Sequence, residues 1–386
     1  EEKRYIESML KKSFSDTSRL AVAGRVLKLS PEDERRFVRL FAEMVGQSHD
    51  FIRKAHGDEV SVVSLRDVAR CIKLFQWFFD TLEKIRQVQR EDAEDEDEDG
   101  TATPTKPTEA TSGSETQDST LSKADAVESM VLAVAHCYHF RLNEEGHYTR
   151  QQFRSEMEQR LQSSRLSSEQ AGWKDPGWFE MVLKKQMQWF IDAMKPLPAG
   201  VADNAALQEN VFMMIVCILN KIAIMVVGKP GSSKTLATQL IRDAFSLAQK
   251  SDKFERVGFP CLELFPYQCS QHSTAHDIED KFDKAIKVES GAGVRKMSCV
   301  VLDEVGLAED AKAMPLKVLH KLLEKPKCAF VGLSNWQLDP AKMNRAVYLL
   351  RPDTESRDDL QQTALELVKG AQQAGTRANT ALIEEL

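Results

Sequence analysis

The chain has 386 residues, of which 42% are hydrophobic and 7% aromatic, and its formal net charge is −7. This length suggests two or three domains with real cores. Eight carboxylates in 91–99 account for the negative excess, so no global basic field exists to attract nucleic acid.

Residues 1–90 read as helices. Tyr5, Ile6, Met9 and Leu10 fit one face, as do Phe37, Leu40, Phe41 and Met44, and Ser30-Pro31-Glu32-Asp33 is an N-terminal cap signal. A third helical run, 68–88, follows Ser64-Leu65-Arg66-Asp67. Composition then collapses into an acidic run and a Thr/Ser/Pro-rich stretch, so 91–121 is expected to be a disordered insert. Helical patterns return over 122–203, where Trp173, Trp178, Phe179 and Trp189 supply local cores. His136, Cys137 and His139 have no second pair of soft ligands at suitable spacing and read as packing residues. Helical periodicity is already running at residue 1 and still running at 386, as expected for a piece of a longer protein.

From residue 205 the pattern changes. An apolar helix, 205–219, leads into alternating strands (near 222–227, 261–268, 298–303 and 328–334) and helices (near 234–249, 274–288, 312–324 and 356–369). Such alternation implies an α/β fold with a parallel sheet between helices. The stretch 211–227 is interrupted by Asn220-Lys221 and is too short to span a bilayer, so no transmembrane segment is expected. The seven cysteines are scattered without a CxxC pair and read as reduced core thiols, which points to the cytosol and away from a zinc domain.

The chemistry concentrates after the first strand. Gly228-Lys229-Pro230-Gly231-Ser232-Ser233-Lys234-Thr235 has the form of a phosphate-binding loop. Backbone N–H groups wrap the phosphates of ATP, Lys234 reaches the β/γ-phosphates, and the Thr235 hydroxyl holds Mg²⁺. The pattern calls for glycine at 233; serine there is acceptable if its φ stays in the helical range. Val300-Val301-Leu302 ends in Asp303-Glu304. Asp303 suits a Mg²⁺ ligand acting through water, and Glu304 suits a group that polarises the attacking water. A helix N-cap is the plain alternative for this pair. Asn335, after the fourth strand, suits a γ-phosphate contact or an ordinary turn. Arg345 suits an arginine finger offered to a neighbouring module, with Arg351 as its competitor. No Asn-Lys-x-Asp motif reads guanine, which disfavours GTP.

Five stretches, 204–214, 228–234, 268–274, 301–310 and 334–345, together resemble the mysterin family of giant AAA+ proteins that are also RING-containing E3 ubiquitin ligases. The likeness is pronounced over 204–351, weaker over 1–90 and absent over 91–121. It makes Ser233 look like a family trait. The resemblance implies an AAA+ P-loop NTPase large subdomain at 204–352 and the start of its helical lid at 353–386. It also implies that 1–90 is the lid of a preceding module, with Arg66 in a sensor-2-like position, and that 122–203 is a helical linker. Implied partners are adjacent AAA+ modules in the same chain. Through regions outside this chain, they extend to a ubiquitin-conjugating enzyme and ubiquitylation substrates. Cytosolic location with lipid-droplet association is implied in the same way. Against this stand a nucleotide-binding module without turnover and a dynein- or midasin-like mechanical ATPase.

Overall fold

Ser30 has extended backbone torsions and its hydroxyl accepts from Asp33 N, Pro31 occupies the first helical turn, and three carboxylates follow. These features start a 25-residue helix that ends on Arg53 and Lys54, in accord with the helix dipole. The computed structural model describes residues 2–15, 21–22, 25–26, 29–98, 123–166, 172–291, 296–352 and 356–373. Its amino-terminal half comprises α1 (Glu2–Ser15), α2 (Pro31–Ala55), α3 (Leu65–Glu98), α4 (Lys123–Cys137), α5 (Arg150–Gln162) and α6 (Trp178–Asp192), beside a two-residue pairing of Ala21–Val22 with Arg25–Val26. The second half begins with α7 (Ala205–Leu219), whose Asn204 cap accepts from Leu207 N.

The acidic run departs from expectation. α3 continues through it to Glu98. Glu91 and Asp92 lie against Arg256, and Asp92 against Lys253, so opposite charge on a neighbouring helix holds the start of the run. The rest of the expected insert, 99–121, lies outside the described residues.

Five strands follow: β1 (Ile224–Val227), β2 (Cys261–Gln268), β3 (Lys296–Asp303), β4 (Ala329–Ser334) and β5 (Val347–Leu350). All pair in parallel, in the order β2-β3-β4-β1-β5. The connecting helices are α8 (Lys234–Ala244), α9 (Asp252–Arg256), α10 (Ala275–Ser290), α11 (Val305–Glu309), α12 (Leu319–Leu322) and α13 (Pro340–Met343), and α14 (Arg357–Gln373) closes the described chain. The helix expected near 312–324 is a 3₁₀ turn at Pro315–Val318 followed by the short α12. The fifth strand was not foreseen: it is four residues long and follows directly on α13 and the Asn344-Arg345 turn.

Side chains alternate across the sheet, as a pleat requires. Ile224, Val226, Val301, Val331 and Leu349 enter one apolar core, which runs without a break through α7 into the helices of 2–98 and 123–192. Met225, Val227, Val300, Leu302 and Phe330 enter a second core with Ile278 and Phe282 of α10. α14 lies over the start of α7, where Asp359 accepts from Ala205 N and Asn204 Nδ2 donates to Thr363 Oγ1. All seven cysteines are free thiols. Among the described residues, no helix is long and apolar enough to cross a membrane.

Candidate active site at the carboxyl edge of the sheet

Because every strand runs the same way, all five carboxyl ends share one edge, where α/β sheets commonly bind ligands. The tip of β1 leads into Gly228, that of β3 is Asp303, that of β4 leads into Asn335, and that of β5 leads into Arg351. β4 lies between β1 and β3, so Asn335 emerges between the loop and the Asp303-Glu304 pair.

The loop itself is tightly tied. Gly228 N donates to Ser334 O and Ser232 Oγ donates to Lys229 O. A Cβ at Gly228 would stand 2.6 Å from Arg351 Cβ, so glycine is required where β5 exits beside the loop. Gly231 has φ +91°, a left-handed turn natural to glycine. Ser233 has φ 55° and ψ 18°, outside the right-handed helical range expected for it. A non-glycine residue in this left-handed region costs about 1–2 kcal/mol, held here by the turn that feeds α8.

Lys234 is buried. Its Nζ donates to Gly228 O at 2.5 Å, Lys229 O at 2.8 Å and Ser232 Oγ at 3.1 Å. Burial pushes its pKa below the ordinary lysine value, while the charge of Asp303 pulls the other way. Thr235 is exposed at the first turn of α8, and its Oγ1 lies 3.3 Å from Asp303 Oδ2. A hydroxyl and a carboxylate oxygen thus converge beside the loop; these hard oxygen donors fit Mg²⁺. Glu304 is half-buried in a left-handed conformation, φ 52°, and its N–H donates to Asp303 Oδ1. Such a backbone at a carboxylate is the kind of strain that clusters at functional sites. Cys269, at the end of β2, is pushed up to about 12 by burial and by the charges of Asp303 and Glu304, which marks this edge as electronegative.

Two supports were missed from the sequence. Asn210, fully buried in α7, donates from Nδ2 to Ser232 O at 2.8 Å and so fixes the loop from behind. Glu209 beside it takes both Arg150 and Arg351. The available signal was three adjacent polar residues, Gln208-Glu209-Asn210, inside an otherwise apolar helix, since a fully buried polar side chain needs a partner.

The two finger candidates part company. Arg351 is buried over Gly228 and paired with Glu209. Arg345 lies just before β5, at the opposite edge of the sheet from the loop, where Val347 N bonds to Ala223 O. It is half-buried, with Nη1 donating to His320 O at 3.2 Å. There it lines a pocket of about 270 Å³ together with Arg66, Arg70, Lys73, Lys221 and Glu324. The structure therefore gathers 228–235, Asp303, Glu304 and Asn335 at one edge, and Arg66 with Arg345 at the other. His136 and His139 are buried among aromatic rings, and no cluster of three metal-ligating side chains occurs among the described residues.

Residues 200–358 match the family model described as the RNF213 AAA domain. The chain is 36% identical over 325 residues to the human E3 ubiquitin-protein ligase RNF213, which covers 81% of the chain and 6% of that protein. The mouse protein of the same name is 35% identical over 330 residues, again 81% of the chain and 6% of the relative. Zebrafish E3 ubiquitin-protein ligase rnf213-beta is 32% identical over 375 residues, 93% of the chain and 6% of the relative. The chain thus spans about one-sixteenth of these relatives' length and is a mysterin-related AAA fragment, similar to the RNF213 proteins over most of its own length and to the RNF213 AAA domain over residues 200–358.

Proposed function

We propose that this chain binds ATP with Mg²⁺ at 228–235 and hydrolyses it. The observation that carries this reading is the convergence of Lys234, the Thr235–Asp303 pair, Glu304 and Asn335 on one edge of a parallel sheet. Backbone N–H groups of Gly231, Ser232 and Ser233 and the start of α8 receive the phosphates. Lys234 already holds a position inside the loop and needs only to exchange carbonyl partners for phosphate oxygens. Thr235 and Asp303 would hold Mg²⁺, which when bound offsets phosphate charge. Glu304 orients the attacking water and accepts its proton, and Asn335 contacts the γ-phosphate.

At the far edge, Arg345 is offered to the nucleotide of the adjacent module as an arginine finger, with Arg66 acting as sensor 2 for that preceding site. Their place in one basic pocket supports this reading. By the same logic, 1–90 acts as the lid of the preceding module and 353–386 begins the next lid. In a protein like the RNF213 ligases, nucleotide state would set ring conformation and, through it, ubiquitin transfer by regions outside this chain. Adjacent AAA+ modules are the direct partners; a ubiquitin-conjugating enzyme and substrates are indirect ones. The cytosol, with access to lipid droplets, is the proposed location.

Turnover by the intact parent protein, compared with a Glu304→Gln variant, tests hydrolysis. The variant should bind Mg·ATP and lose at least about a hundredfold of this site's turnover. Equal turnover removes Glu304 from the mechanism. The left-handed Ser233 favours one second reading, a module that binds nucleotide without turning it over. Nucleotide bound at this site and left unhydrolysed in the wild-type protein supports that reading.

A further inference from the structure

Asp67 and Arg70 join the helical half to the segment that carries Arg345. Asp67, 4% exposed, accepts from Ser64 N at 2.9 Å and so caps the start of α3. Its other oxygen takes Arg70 Nη1 at 3.0 Å, with Arg141 Nη1 3.8 Å away. The Arg70 fork then reaches across to two main-chain carbonyls, Ala346 O at 3.3 Å and Asn344 O at 3.5 Å. These carbonyls flank Arg345 on either side. Asn344 returns the contact, its Nδ2 donating to Ser61 O at 2.8 Å. Arg66 sits one helical turn before Arg70, exposed, on the rim of the pocket that Arg345 also lines.

We infer that Arg70 is a positioning residue that locks the Arg345 segment to α3, so that Arg66 and Arg345 face a polyphosphate as one rigid pair of cations. This rests on the proposed finger role of Arg345. A planar, always-charged fork presents its donors in a fixed geometry, so one guanidinium can hold the Asp67 carboxylate and two main-chain carbonyls in a single orientation. The pocket also gathers Lys73 and Lys221, with Glu324 as the carboxylate on its lining. Lys221 is paired with Glu289 and Lys73 donates to Asn220 O, so Arg66 and Arg345 are the cations left to meet a polyanion. Burial and the nearby Lys221 charge both lower the Lys73 pKa, as expected of such crowding. Movement of α3 would carry the finger with it, which links the lid-like helices directly to Arg345.

The test is calorimetric binding of inorganic tripolyphosphate at low salt. It uses the whole chain carrying Lys234→Ala, so that the loop at the other edge is silent. In that background Arg345→Ala and Arg66→Ala should each weaken binding about tenfold, the loss of one charge-assisted contact. Arg70→Met should weaken it severalfold alone and add nothing on top of Arg345→Ala, and Asn344→Ala should behave alike but more mildly. Additive losses from Arg70→Met and Arg345→Ala would mean that Arg70 touches the phosphate itself, and overturn the positioning role. A lowered melting temperature with unchanged affinity would overturn it too, leaving Arg70 merely structural. No effect of Arg345→Ala, or no binding at all, would instead overturn the finger reading beneath it.

Discussion

Ser233 is where the loop departs from its pattern, and its backbone gives a sharp expectation. Glycine at this position relieves about 1–2 kcal/mol of left-handed strain and costs roughly 0.5–1 kcal/mol of added freedom in the unfolded chain. Ser233→Gly should therefore be neutral to stabilising by up to about 1.5 kcal/mol, and Ser233→Val destabilising, in denaturant midpoints. A clear loss of stability with glycine would contradict the left-handed turn. His136 gives a second expectation. It is buried among Phe78, Phe140 and Phe212, and burial pushes its pKa down to about 3. Its folded value lies below its unfolded value near 6.5, so the unfolded chain takes up more protons between the two. Stability should fall as pH drops from about 6.5 toward 3, by up to about 1.4 kcal/mol per unit from this group. His136→Leu should remove that part of the slope, measured by urea unfolding across the window; an unchanged slope would place the ring in contact with water. At this scale the loop, Asp303-Glu304 and Asn335 were legible because their order along the chain carries meaning. Which sheet edge each arginine occupies was not, since Arg345 precedes and Arg351 follows a strand that the sequence does not reveal.

At the scale of elements, the strand pattern was read closely for β1, β3 and β4, because continuous apolar runs mark buried parallel strands, and to the residue for the edge strand β2, which is only partly buried. β5 escaped because four residues give too short a period, and its pairing with β1 is a long-range fact. The acidic run escaped for a different reason: its carboxylates find Arg256 and Lys253 on α9, over 150 residues away in the chain. Arg256→Ala should fray α3 from Glu91 onward, seen as faster amide exchange over 91–98 with the rest of α3 unchanged; high salt should do the same to the wild-type chain. α7 supports the loop through Asn210. Asn210→Ala leaves Ser232 O without its buried donor and should cost about 1–3 kcal/mol of stability, with weaker nucleotide binding. Full retention of both would show that Ser232 O finds another donor.

Across the whole molecule, one apolar core runs from the amino-terminal helices to a face of the sheet. Composition divided the chain at 90, 121 and 203, whereas packing joins those helices through α7. A local reading of sequence cannot see this, since each helix shows only that it has an apolar face and not which partner covers it. The two sheet edges then divide the labour proposed for the chain: one receives its own nucleotide, the other serves a neighbour. β1 alone, four residues at about 3.3 Å each, sets them roughly 13 Å apart. The central claim is that 228–235 holds Mg·ATP, and equilibrium binding of a fluorescent ATP analogue, with and without Mg²⁺, tests it most directly in the wild-type chain and in Lys234→Ala. Binding should depend on Mg²⁺ and weaken at least about tenfold in the variant. Equal binding by both proteins, or by neither, would contradict that claim.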